Sequence, residues 1–189
     1  MNTWAKPKGF TIVELLIVIV VIGILAAITI VAYNGVQQRS RDSKRLSDMS
    51  AIKKALELYK TDTGTFPAVT YTGLGALDGW EASSKEAAGE FLAPLKPYGF
   101  PGGVVMDPIN DATETTMALA RSAKHYGYMY YKYGAGDAGC DANRGAYYVL
   151  GMITTETAGV ATHPQSPGFN CGAMNWQSSF SWVTGGYEK

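Results

Sequence analysis

The side chains with the most intrinsic reactivity in this chain are two cysteines, Cys140 and Cys171, and two histidines, His125 and His163. Neither cysteine belongs to a C-x-x-C pair and each histidine stands alone, so the ligand spacing of a zinc site is missing. No nucleophile, base and orienting group can be assembled by spacing, and no enzyme is inferred. Asp107, Asn110 and Asp111, in the stretch MDPIND, bring three oxygen donors into one turn and are weak candidates for calcium. Turns place such residues together by default, so no metal or other cofactor is assigned. The residue that most needs a chemical reason is Glu14, a carboxylate inside the apolar run FTIVELLIVIVVIGILAAITIV.

That run, residues 10–31, would span about 33 Å as a helix, enough to cross a bilayer once. Lys6 and Lys8 precede it, and the preference of positive charge for the cytoplasm places the N-terminus inside and the chain after residue 33 outside. A secretory signal peptide has a shorter apolar region followed by a small-x-small cleavage site, which this sequence lacks. An ordinary signal anchor has the right length but no use for Glu14, whose charge costs about 2.5–3.5 kcal/mol at the centre of a membrane helix. With the rest of the chain exported, a disulfide between Cys140 and Cys171 is the expected state, the alternative being two unpaired thiols.

Charge is distributed unevenly along the chain. Residues 39–60 hold seven basic and three acidic residues, net +4, whereas residues 61–189 hold seven basic and twelve acidic, net −5. A net-acidic C-terminal part argues against direct nucleic-acid binding there. The basic excess of residues 39–60 reads either as solvated charge opposite an apolar helical face or as contact with acidic surfaces of neighbouring subunits.

The stretch KG followed by FTIVELLIVIVVIGILAAI resembles the N-terminus of type IV prepilins and the related pseudopilins: a short basic leader ending in glycine, then phenylalanine, then glutamate at the fifth mature position. The resemblance covers residues 8–33. It implies that a prepilin peptidase cleaves between Gly9 and Phe10 and that the new amine of Phe10 is N-methylated. It also gives Glu14 an assembly role, its carboxylate pairing with the amine of a neighbouring subunit's N-terminus. The implied partners are identical or related pilin subunits in a homopolymer filament, prepilin peptidase, an inner-membrane assembly platform and, before assembly, the membrane itself. The implied location is a single-pass cytoplasmic-membrane protein that becomes an extracellular filament. Many members of the family carry a proline where this chain has Val31, which bears on local unwinding of the helix in a filament. The rivals are a pseudopilin of a type II secretion or DNA-uptake machine and a monomeric membrane-anchored binding domain; Glu14 in register with the Gly-Phe junction argues against the second.

Beyond the apolar run, Leu46, Met49, Ile52, Leu56 and Tyr59 recur at spacings of three and four, the stripe of an amphipathic helix that ends at DTGTFP. The Ser83-x-x-Glu86 spacing predicts a short helix near residues 84–92. Residues 127–133 (GYMYYKY) and 146–155 (AYYVLGMITT) predict an antiparallel strand pair, with a further strand at residues 180–184. The expected fold is α+β and pilin-like: a long N-terminal α-helix, half transmembrane and half amphipathic, packed on a small antiparallel β-sheet. The expected divisions are a leader at 1–9, a transmembrane and assembly half-helix at 10–33, an amphipathic half-helix at 34–63 and a globular head at 64–189. That head would comprise a variable loop, the sheet and a C-terminal cysteine loop.

The mature chain is therefore expected to begin at a methylated Phe10. Intact-mass analysis of surface-sheared protein checks this; a retained leader, or a cut near Ala32, is incompatible with it.

Overall fold

The computed structural model describes residues 9–69, 79–83, 91–113 and 115–189. The leader through residue 8 and most of the helix expected near residues 84–92 lie outside them; residues 91 and 92 form a turn. The long helix α1 runs over Ile12–Thr63. No proline interrupts it, and the backbone stays helical at Gly23, Val31 and Gly35. It stops at Gly64, whose φ of 80° is in the left-handed region and whose N–H bonds the Lys60 carbonyl at 2.8 Å. Glycine adopts that conformation without a Cβ penalty, and Pro67 follows to bar continuation.

The chain divides into two units, with the break after Arg39. In the first, the apolar side chains of α1 find no partner among the described residues: those from Ile12 to Ile30 are about half or more exposed. This part of α1 is long and apolar enough to cross a membrane. Its one hydroxyl inside the apolar run, that of Thr29, is satisfied within the helix by the Leu25 carbonyl at 2.7 Å.

The second unit contains the sheet. Strands β1 (Glu81–Ala82), β2 (Tyr128–Tyr133), β3 (Tyr147–Met152) and β4 (Trp182–Tyr187) form an antiparallel meander in that order. Register pairs Tyr130 with Leu150 and Leu150 with Thr184. The expected strand pair and further strand are thus present, the last ending at Tyr187 instead of residue 184. A seven-residue helix α2 (Met117–Ala123), capped by the Thr116 side chain, precedes β2.

Alternation along the strands gives the sheet two apolar faces. Tyr128, Tyr130, Tyr148, Leu150, Met152 and Trp182 pack with Met49, Ile52, Ala55 and Leu56 of α1. The stripe read from sequence is the buried one, with Leu46 and Tyr59 packed at its margins. On the other face, Met129, Tyr147, Val149 and Val183 are covered by Trp80, Trp176, Phe180 and their neighbours. Both faces of β3 are therefore buried, which is why its sequence is a continuous apolar run.

Two strand glycines allow rings to lie against the second face. A Cβ at Gly151 would sit 2.6 Å from the Phe180 ring, and one at Gly185 would sit 2.6 Å from the Phe169 ring. Such contacts force rings or strands to shift, so Gly151→Ala is expected to destabilise the protein by about 1–3 kcal/mol. Chemical denaturation of the full chain in detergent checks this; an unchanged midpoint would show that the ring moves freely.

Candidate functional site

The N-terminus of α1 is built by the local sequence Phe-Thr-Ile-Val-Glu. Thr11 is the N-cap: its Oγ1 accepts the Glu14 N–H at 3.2 Å. Glu14 reaches back, its Oε2 accepting the Thr11 N–H at 2.7 Å and the Thr11 hydroxyl at 2.8 Å. This is a capping box, and it satisfies donors that otherwise have no partner at a helix start. The negative charge also lies at the positive end of the helix dipole. Glu14 Oε1 has no hydrogen-bond partner among the described residues. Immediately before the cap, Phe10 is 85% exposed and the space beside Gly9 is open, a Cβ there meeting nothing within 4 Å. The scissile junction proposed from sequence is thus sterically accessible, and a carboxylate with one uncommitted oxygen lies on the first turn beyond it.

Residues 4–30 match the family model of the prokaryotic N-terminal methylation motif. This chain carries a prepilin-type N-terminus. Over 72 residues the chain is 36% identical to the type II secretion system core protein G of Dickeya chrysanthemi, covering 38% of this chain and 46% of that protein. With the protein of the same name from Escherichia coli K12 it shares 36% over 77 residues, covering 41% and 52%. With the fimbrial protein EcpC of Eikenella corrodens it shares 46% over 61 residues, covering 32% and 40%. The chain spans about half the length of these relatives or somewhat less. No solved structure gives a significant match.

The prepilin-type N-terminus contributes Gly9, Phe10 and Glu14; the other residues singled out by sequence lie in the second unit. Cys140 and Cys171 form a disulfide, with Cα atoms 4.7 Å apart. It ties the turns after β2 to the segment leading into β4, against the aromatic face of the sheet. Asp107, Asn110 and Asp111 turn to separate partners. Asp107 grips Arg45, Asn110 exchanges hydrogen bonds with Ser83, and Asp111 accepts the Tyr126 N–H at 2.7 Å. Among the described residues no group of three or more His, Cys, Asp or Glu side chains is placed to hold a metal.

The largest polar construction of this unit is one that the sequence reading passed over. Arg45 is fully buried. Its Nε and Nη2 bond the two Asp107 oxygens at 2.7 and 3.0 Å, while Nη1 bonds Asp42 Oδ1 at 2.7 Å and Glu156 Oε1 at 2.8 Å. The guanidinium carbon also lies 4.6 Å from the centre of the Tyr126 ring. Asp42 in turn accepts the N–H groups of Glu156 and Thr157 at 3.0 and 2.8 Å, and Arg41 closes the cluster on Glu156. Treating the basic excess of residues 39–60 as solvated charge therefore fails for Arg45, though Arg39, Lys44, Lys53 and Lys54 are exposed. The signal was spacing: Asp42 and Arg45 continue the Met49, Ile52, Leu56 stripe at intervals of three and four.

The Arg41 hydrogen bond holds the Glu156 carboxyl below its usual range, burial opposing it less strongly. Burial pushes Asp42 upward, but the hydrogen bonds from Thr157, the Glu156 N–H and Arg45 together leave it below the ordinary value. Depressed carboxyls stabilise the fold at neutral pH, and that contribution is lost as pH falls below about 4. Arg45→Met would leave Asp107 stranded and take the guanidinium from Asp42 and Glu156, and is expected to cost about 3–5 kcal/mol at pH 7. The deficit relative to the unsubstituted chain should shrink on acidification, as these carboxylates take up protons. Melting curves at pH 7 and pH 4 check both parts; a deficit independent of pH would contradict the ionic account.

Proposed function

We propose that this chain is the structural subunit of a type IV pilus-like filament. It is inserted once in the cytoplasmic membrane with its N-terminus inside, cut between Gly9 and Phe10 by prepilin peptidase, N-methylated there, and polymerised with further copies through the apolar part of α1 on an inner-membrane platform. The observation that carries this reading is the register of Glu14: a carboxylate on the first turn of the apolar part of α1, with one oxygen occupied by the cap and one with no partner among the described residues. The match of residues 4–30 to the methylation motif supports it, as does a disulfide in the part assigned to the oxidising side of the membrane. The role calls for no catalytic group and no resident cofactor. A second reading, a pseudopilin of a type II secretion machine, draws support from the relatives that bear that name. A deletion strain separates the two by losing surface filaments in one case and protein secretion in the other.

Substitutions at Glu14 separate its charge from its capping. A glutamine keeps an acceptor oxygen for the Thr11 N–H but not the charge, so Glu14→Gln should insert and be cleaved yet assemble poorly. Glu14→Ala should also insert and be cleaved, and fail to assemble. Glu14→Asp, with its carboxylate set back by one methylene, should assemble partially. The ratio of sheared filament to membrane-held subunit on immunoblots reads all three; normal filament yield from Glu14→Ala would sink the assembly role.

A further inference from the structure

Two surfaces of the second unit complement each other and share no residue. The first is a groove of about 260 Å³ whose lining includes Leu46, Met49, Lys53, Pro167 and Trp182 and no acidic residue. The Trp182 indole N–H is committed to the Gln165 carbonyl at 2.9 Å, so that wall is held in place. Of the lysines on this half of α1, Lys44 pairs with Asp48 and Lys60 with Glu57. Lys53 and Lys54 are exposed and have no ion-pair partner among the described residues.

The second surface is a knob built on the disulfide. Cys140 and Cys171 tie residues 137–142 to residues 171–174, and the two segments touch closely: a Cβ on Gly139 would sit 2.9 Å from that of Ala173. Within the second segment the Cys171 N–H bonds the Met174 carbonyl at 2.7 Å. The knob presents Met174, 38% exposed, and the exposed carboxylates of Asp137 and Asp141. Asp137 accepts the Gly134 N–H at 2.7 Å and Asp141 the Asn143 N–H at 2.9 Å. Neither meets a cation among the described residues, the neighbouring Arg144 being laid over the Tyr187 ring at 3.7 Å instead. Two free ammonium groups beside a hollow thus stand on one part of the chain, and two carboxylates beside an exposed methionine on another. Different patches of one chain that fit each other make a head-to-tail contact, which repeats without closing in a filament, and opposite charge sets its orientation.

We propose that the disulfide-tied knob of one copy docks in the α1 groove of another, with Asp137 and Asp141 against Lys53 and Lys54 and Met174 in the hollow. This contact rests on the filament reading above and adds to it a junction outside the apolar run. In sheared filaments of the full chain, carbodiimide coupling should join Lys53 or Lys54 to Asp137 or Asp141 by an amide. Filaments grown from light and isotopically heavy subunits together should yield mixed-mass pairs, which only a contact between copies gives. Lys53→Glu with Lys54→Glu should lower the yield of sheared filament about tenfold, as should Asp137→Lys with Asp141→Lys, and all four together should recover most of it. Asp137→Asn with Asp141→Asn keeps the acceptors for the Gly134 and Asn143 N–H groups and should lower the yield about threefold without changing Tm; it decides the point if the reversed knob does not fold. Coupling of these lysines to Asp62 or Asp111 instead, coupling within single copies only, or a yield unaffected by the paired substitutions would each overturn the contact and leave Glu14-dependent assembly standing. No filament from the unsubstituted chain would overturn both.

Discussion

The rest of the structure depends on the fact that α1 is one continuous helix with two kinds of surface. Over residues 12–30 nearly every side chain is apolar and exposed, whereas Met49, Ile52 and Leu56 are sealed against the sheet. An exposed apolar surface of that extent is unstable in water at about 25 cal/mol per Å². None of the described residues covers it, and in the proposed life cycle lipid, and then the same surface of other copies, would do so. A monomeric soluble protein does not carry such a surface, and a plain anchor does not need a charge in it.

The second half of α1 is fastened to its unit by two different means. The apolar stripe against the sheet supplies burial energy but little positional selectivity, because a stripe repeating every three to four residues tolerates a slide by one turn. The Arg45 cluster does not tolerate it. Its guanidinium has to meet Asp107 ahead of β2 and Glu156 beyond β3 at once, in a site where any unpaired member bears its full desolvation cost. Buried ion clusters are poor sources of net stability, since Coulomb attraction and desolvation nearly cancel; their steep dependence on geometry makes this one a register lock.

The features legible in the sequence were those in which a local pattern has only one structural solution. The apolar run, the Met49–Ile52–Leu56 stripe, the glycine stop at Gly64 and the strand pair on either side of the turns near residue 140 all follow from periodicity and turn chemistry. Arg45 was misplaced because composition counts charges without asking which face they are on; its interval from Met49 held that information. The Thr11-x-x-Glu14 capping box was equally legible, and was masked by the attention that a carboxylate in a membrane segment draws to its charge. Asp107 resembled a metal ligand because its true partner is 62 residues distant, and no local pattern reports a contact of that kind. Strand β1, two residues long, carries no periodic signal at all.

Glu14 meets two demands that conflict at membrane depth. As a free carboxylate it would oppose insertion by about 2.5–3.5 kcal/mol. Here Oε2 is already bonded by the Thr11 N–H and hydroxyl at the positive end of the helix dipole, so part of that cost is offset within the monomer. The proposed cleavage after Gly9 would then create a cation at the same end of the helix, and Glu14 is the only carboxylate in residues 10–41. In the proposed filament, two subunits offset so that one amine meets the other's Oε1 neutralise both charges while leaving the cap intact. An offset larger by one helical turn, about 5.4 Å, would leave an ammonium and a carboxylate each unpaired in an apolar environment. The apolar surface alone would accept either offset. The proposed charge pair would accept one, and a greasy helix that could associate in many registers would thereby be confined to a single axial spacing.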